Sequence, residues 1–483
     1  MKAGRVLAGM IMAVILAIWP GIRVLAEEPE VLTEGEEQAE QEKTPEQIAA
    51  EEQARKNASY EVEVDSNLLP GWAQGPKVYA ASAIVMDMES GAVLYAKKAE
   101  EQHFPASITK LLTTLVALEE ASLTDPVVFS EDSISFLQYD DANIGMKPGE
   151  QISMNDALYA VLLASANEVS YAVAENAGNT MGGGYDTFIQ RMNERAAELG
   201  CTGSHWVNAN GLHDDAHYTT AHDMARIGAA VYQREEFHTI MGNLEYRIPP
   251  TNLVPEERVF QQNHKMLWPE NYYYYEYCRG GKTGYTDQSG TTLVTLADNG
   301  TMRLAAVVMA DYGVDAYEDT RAMLDYAFGN FQKVTVADKE VSGDIASFSD
   351  ENAYVVLPAG IAFSQLESEI YAEEAVGESN LQESSATGTI VYRYGGQEVG
   401  HAIVTLQPDF FEEEEPDIQE KPEVPRKNVS EEKTKEKQTE VMIPIREFAA
   451  AVVAALVIVG SVLFFIKRKR KKERRRRSRR TME

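Results

Sequence analysis

Residues 105–111 read PASITKL, and the run they lead into, Lys110–Glu120, reads KLLTTLVALEE. The apolar residues of that run recur at helical spacing, which predicts an α-helix. Ser107 then stands at its start, with Lys110 three residues on. On a helix that spacing puts both side chains on one face, with Cβ atoms about 5–6 Å apart. Two readings follow. A serine after proline and before a helix is a common N-cap. A hydroxyl nucleophile also gains there from the positive helix end, and a lysine kept neutral by burial beside a second cation can take its proton. A second match, Ser430 with Lys433, lies in a charged stretch, so the motif alone decides nothing.

Upstream, the apolar runs 78–85 (VYAASAIV) and 92–95 (AVLY) flank the turn-like MDMESG at 86–91, a β-hairpin signal. Downstream, helical spacing returns in 154–166, 185–199 and 221–233. After Gly284 come the strand-like runs 291–297 (TTLVTLA) and 302–309 (MRLAAVVM), then a closing helix over 322–331. A hairpin, a helical block and more strands suit an α+β fold, with a sheet whose strands come from both ends of the sequence. Residues 333–408 carry little helix signal; YVVL at 354–357, GTIVYRY at 388–394 and AIVTL at 402–406 predict a small, separate β domain.

The ends of the chain differ from its middle. Residues 1–26 carry Lys2 and Arg5, an apolar run and small residues at the end, the pattern of a secretory leader. Residues 27–71 are acidic and read as a tether, as do the charged residues 409–446. A membrane helix is expected over 447–466: its last nineteen residues carry no charge, enough at about 1.5 Å per residue to cover most of a hydrocarbon core. The basic tail 467–483 directly behind it reads as a cytoplasmic stop signal against anionic lipid rather than as a nucleic-acid site. The net charge of −32, despite that tail, also argues against binding phosphate backbones. The expected arrangement is a single-pass protein of the cell membrane, with residues 72–332 and 333–408 outside and the tail within.

Two more stretches join Ser107 and Lys110. Ser165-Ala166-Asn167 puts polar groups at the end of an apolar helical run, and Lys282-Thr283-Gly284 follows Gly280 and Gly281. Ser-x-x-Lys, Ser-x-Asn and Lys-Thr-Gly, in that order and at domain-scale spacing, form the set found in β-lactamases and penicillin-binding proteins. Together with WAQGP at 72–76, FPASITK at 104–110, NANGLHDDAHYTTAHD at 208–223 and RLAAVV at 303–308, the chain resembles the serine-type D-alanyl-D-alanine carboxypeptidases. These are low-molecular-mass penicillin-binding proteins of the peptidase S11 family. The likeness runs from about residue 72 to 407. It implies a β-lactamase/transpeptidase-like catalytic domain over 72–332, an antiparallel sheet with a helical block, followed by the small all-β domain.

The resemblance also implies roles. Ser107 would attack the D-Ala–D-Ala carbonyl and Lys110 would be its base. Ser165 and Lys282 would relay a proton to the leaving D-alanine, and Asn167 would bind the substrate amide. Backbone N–H groups of Ser107 and Tyr285 would hold the oxyanion, a contact typically worth about 3 kcal/mol. Thr283, beside Gly284, and Arg303 would grip the terminal carboxylate. Peptidoglycan stem peptides are the implied partners, with β-lactams as covalent inhibitors and no cofactor. A β-lactamase is the nearest rival, though the deacylating glutamate has no recognisable counterpart. A D,D-endopeptidase and a noncatalytic penicillin receptor stay open beside it.

Three further features carry less. His213, His217 and His222 match neither HExxH nor zinc-finger spacing. Tyr272–Tyr275 is a run expected to bury alternate rings. Cys201 and Cys278 allow one disulfide or two free thiols.

Overall fold

A computed structural model of the protein describes residues 44–372, 386–408 and 410. The expected leader, nearly all of the charged linker, the membrane helix and the basic tail lie outside the described residues. Among the described residues no helix is long and apolar enough to cross a membrane.

The first described element is a helix, α1 (Pro45–Tyr60), capped by Thr44. Within the stretch 27–71 that reads as a tether, residues 45–60 are thus helical. The helix buries none of its residues, so hydrophobic patterning could not reveal it. Its C-terminal half is fastened by polar and ring contacts instead. Lys56 pairs with Asp315, the Ser59 hydroxyl donates to Ala80 O at 3.1 Å, and the Tyr60 and Tyr79 ring centres are 4.6 Å apart.

The expected hairpin forms as β1 (Ser82–Asp87) and β2 (Val93–Lys97). The helical block follows: α2 (Lys110–Glu120), α3 (Met154–Tyr159), α4 (Asn167–Thr180), α5 (Tyr185–Glu198) and α6 (Ala221–Tyr232). The chain returns to the sheet as β3 (Cys278–Thr286), β4 (Gly290–Asp298) and β5 (Arg303–Asp311), and closes with α7 (Asp315–Asn330). The order β2-β1-β5-β4-β3 is antiparallel throughout, so the early hairpin pairs with late strands.

Strand β5 lies in the middle of this sheet, and its alternation shows how the core is divided. Ala305, Val307 and Met309 point into the cluster shared with the helical block, while Leu304, Ala306 and Val308 point into the cluster under α7. Both faces are covered, so the strand reads as one continuous apolar run instead of alternating with polar residues. Helix α2 is the axis of the helical block. Its Leu111, Leu112, Leu115 and Val116 are all essentially inaccessible, and each such side chain is worth roughly 1.5–3 kcal/mol on burial.

The C-terminal residues form β6 (Phe331–Thr335) paired with β8 (Tyr354–Pro358), and a four-stranded sheet of β7 (Ile345–Phe348), β11 (Gln397–Leu406), β10 (Thr387–Tyr394) and β9 (Glu367–Ala372) in that order. Their buried Val355, Leu357, Tyr392 and Leu406 belong to the same apolar cluster as Trp72, Leu94 and Leu324. These strands therefore share the core beneath α7 and adjoin the edge strand β2. Both cysteines are buried free thiols.

Candidate active site

Ser107 does not cap α2. It lies inside a 3₁₀ turn, Ala106–Thr109, which runs straight into the helix, and neither element has a side-chain cap. The turn is unusual at Ala106, whose φ of 50° is left-handed although it carries a Cβ. Three contacts hold it there. The Thr292 hydroxyl donates to Pro105 O at 2.8 Å, and the Thr109 hydroxyl donates to Ala106 O at 2.8 Å. His217 lies 2.9 Å from that same hydroxyl through Nε2, while its Nδ1 accepts from Val207 N. The neutral ring is therefore the donor to Thr109, and burial pushes its pKa down to about 3. Gly211 makes room on the remaining side: a Cβ there would come 1.9 Å from Ala106 O.

Lys110 is fully buried, with Nζ 2.9 Å from Ser107 Oγ, 2.7 Å from Asn167 Oδ1 and 2.6 Å from Asn210 O. Burial first, and the charge of Lys282 second, hold its pKa well below the ordinary lysine value. The three neighbours also suit the neutral amine that such a shift favours. Two N–H bonds are taken by the two carbonyl oxygens, and the lone pair faces the serine hydroxyl. Lys282 is likewise buried; desolvation lowers its pKa to about 7, and its Nζ donates to Thr283 O at 2.8 Å.

Ser165 arrives through a second irregularity. The apolar run 154–166 is not one helix: α3 ends at Tyr159, and Ala160–Ala164 is a π-helical turn. Ser165 then takes a left-handed conformation at φ 61°, and Asn167 opens α4. Strained serines and π turns of this kind concentrate at functional sites. Together they put Ser165 at the cavity wall and Asn167 against Lys110.

The Lys-Thr-Gly stretch lies in β3, and its glycine is a steric requirement. A Cβ on Gly284 would sit 2.8 Å from Ser107 N, 3.1 Å from Ala106 Cβ and 2.4 Å from Thr292 Oγ1. Only a glycine lets β3 approach the nucleophile turn so closely. Tyr285 follows with its ring mostly in solvent, donating its hydroxyl to Asp287. A cavity of about 460 Å³ opens over these groups, lined by Ser107, Ser165, Thr283, Gly284, Tyr285 and Lys265 among others.

Arg303 is the residue that sequence reading misplaced. It begins β5 opposite Asp298, and its guanidinium is 2.7 Å from Glu89 and 3.4 Å from Asp298. Asp298 is six residues along β4 from Thr292, or roughly 20 Å at strand spacing. The antiparallel register sends the start of β5 to the far end of the sheet, away from Ser107.

Other residues went unrecognised. Asn210 and Gly211 lie in the 208–223 stretch that looked family-like, but nothing in it announced a carbonyl for Lys110. Lys265 had no signal at all. Tyr273 and Tyr275 turn inward from a loop rather than a strand, Tyr275 being buried and Tyr272 exposed. Of the three histidines, His222 pairs with Glu100 and His213 packs edge-on against Phe104.

A dehydrated lysine amine directed at a serine hydroxyl, with a second buried lysine behind the cavity, defines a serine acyl-transfer enzyme. Residues 71–313 match the family profile of Peptidase_S11, D-alanyl-D-alanine carboxypeptidase. The chain is 28% identical over 363 residues to D-alanyl-D-alanine carboxypeptidase DacA of Haemophilus influenzae, covering 70% of this chain and 86% of that one. It is 31% identical over 255 residues to DacB2 of Mycobacterium tuberculosis, covering 52% and 82%. A solved D-alanyl-D-alanine carboxypeptidase from Mycobacterium tuberculosis H37Rv superposes with a TM-score of 0.48 at 31% identity, over 54% of this chain and 95% of that one. The chain belongs to the peptidase S11 family and is a serine-type carboxypeptidase.

Proposed function

We propose that this chain removes the terminal D-alanine from peptidoglycan stem pentapeptides, outside the cell and anchored by residues 447–466. The observation that carries the chemistry is the buried Lys110 amine 2.9 Å from Ser107 Oγ, with its N–H groups committed elsewhere. Lys110 takes the hydroxyl proton as Oγ bonds to the penultimate carbonyl carbon. The N–H groups of Ser107 and Tyr285 receive the oxyanion, whose collapse breaks the C–N bond. Ser165, at the cavity wall, passes a proton to the departing amine, and Asn167 orients the substrate amide. Water then releases the acyl group by the reverse sequence. β-Lactams acylate the same serine, because their strained amide meets the same oxyanion donors.

The leader-like 1–26 and the apolar 447–466 before a basic tail support export and anchoring. The test is D-alanine release from a pentapeptide stem by the full chain in detergent, beside Ser107→Ala. Release by the wild type and none by the variant is expected, with a persistent penicillin adduct on Ser107. Release undiminished in Ser107→Ala rules out the nucleophile, and rapid turnover of penicillin makes the chain a β-lactamase instead.

A further inference from the structure

With Arg303 at the far end of the sheet, the cavity needs another cation for a substrate that ends in a carboxylate. Of the described side chains lining it, only that of Lys265 is charged. Lys110 and Lys282 are buried, the first against Ser107 Oγ and the second against Thr283 O.

Lys265 opens a one-turn 3₁₀ helix, Lys265–Leu267, that packs on β3, the strand carrying Thr283. It is partly exposed, and its Nζ lies 5.7 Å from the ring centre of Tyr317 and 5.8 Å from that of Tyr273. Those are cation–π distances: the rings fix the ammonium without neutralising it. Among the described residues no carboxylate pairs with it. The tyrosines are themselves placed, since their rings stack 5.1 Å apart and Tyr317 is buried at the start of α7. An ammonium so positioned at the wall of a cavity, on the side of Thr283, suits one function.

We infer that Lys265 receives the terminal carboxylate of the substrate, beside the Thr283 hydroxyl, and so restricts cleavage to the peptide bond next to a free chain end. This rests on the proposed D,D-carboxypeptidase reading. An ammonium at this position rewards a carboxylate and gains nothing from an amide, which is the contrast that measures it.

The full chain, as wild type, Lys265→Met and Lys265→Arg, is assayed on a D-Ala–D-Ala stem peptide as free acid and as C-terminal amide. Lys265→Met is expected to lower kcat/KM on the acid roughly 10- to 100-fold, the range of a hydrogen bond to a charged group. Its rate on the amide stays at the wild-type value, and Lys265→Arg restores most of the loss on the acid. Equal loss on acid and amide, or no loss on the acid, overturns the assignment. Should the wild type release no D-alanine, the carboxypeptidase reading fails by itself. Lys265 is then judged by acylation of Ser107 with benzylpenicillin and with its methyl ester. Slowing of the acid alone by Lys265→Met sustains the assignment; uniform slowing, no slowing or no acylation of the wild type overturns it.

Discussion

At one end of β3 to β5, Gly284 presses against the backbone of Ser107, and Lys110 and Lys282 are stripped of water. At the other end Arg303 stands half in solvent between Glu89 and Asp298, and Glu89 also reaches Lys333. Both ends carry cations. At the far end they are paired with carboxylates and hydrated, which leaves them charged and chemically idle. At the near end burial makes the charged state expensive, which is how a lysine becomes a base. Burial of lysines at one end and ion pairing at the other separate the two outcomes, and the guanidinium of Arg303 would stay charged in either place.

The most damaging way to break that contrast is to remove the close approach at the near end. Gly284→Ala is expected to cut the rate of Ser107 acylation by about 100-fold, because a displaced reacting group costs that much. Overpacking should also lower stability by about 1–3 kcal/mol. Acylation by a fluorescent penicillin measures the first, and a wild-type rate would show that the turn yields without cost.

A pH titration sharpens the contrast. Folded Lys282 titrates at about 7, whereas an unfolded lysine titrates at about 10.4. Between those values the unfolded chain binds the extra proton, so stability rises with pH across the window and is lowest below it. Lys282→Met lacks this dependence. The wild-type urea midpoint should therefore gain on that of Lys282→Met between pH 7 and about pH 10, and parallel curves would mean that Lys282 is not dehydrated.

The smallest effect belongs to the far end. Arg303→Gln should leave kcat/KM for D-alanine release unchanged, and the loss of exposed ion pairs should cost about 0–1 kcal/mol. A tenfold fall in kcat/KM would return Arg303 to the substrate and displace Lys265.

Much of this was legible beforehand. The hairpin, the helical block and the later strands follow from periodicity, and Ser107, Lys110, Ser165, Asn167 and Lys282 from motif order. What stayed hidden depends on geometry that periodicity does not carry. Residues 154–166 are apolar at helical spacing throughout, so the π turn before Ser165 leaves no mark in composition. Arg303 was assigned to the carboxylate on the family likeness and its place in a strand-like run, with no tight motif around it. Only the register of β5 against β4 shows at which end of the strand the site lies. Lys265 is a lone lysine in a loop, and it becomes meaningful only when Tyr273 and Tyr317 are seen beneath it. Helix α1 was missed because polar end contacts hold it and no apolar face announces it.

A further contact of α1 bears on where this enzyme can be cut. The Lys97 ammonium is buried, with its pKa lowered to about 8, and it donates to Val78 O, Ala80 O and, from the end of α1, Ser59 O. Homology and hydrophobic pattern both place the start of the catalytic unit near Trp72. A protein truncated there would lose the third acceptor and the cover over Lys97 together, so the practical boundary of the folded enzyme lies before Ser59, with the end of α1 retained.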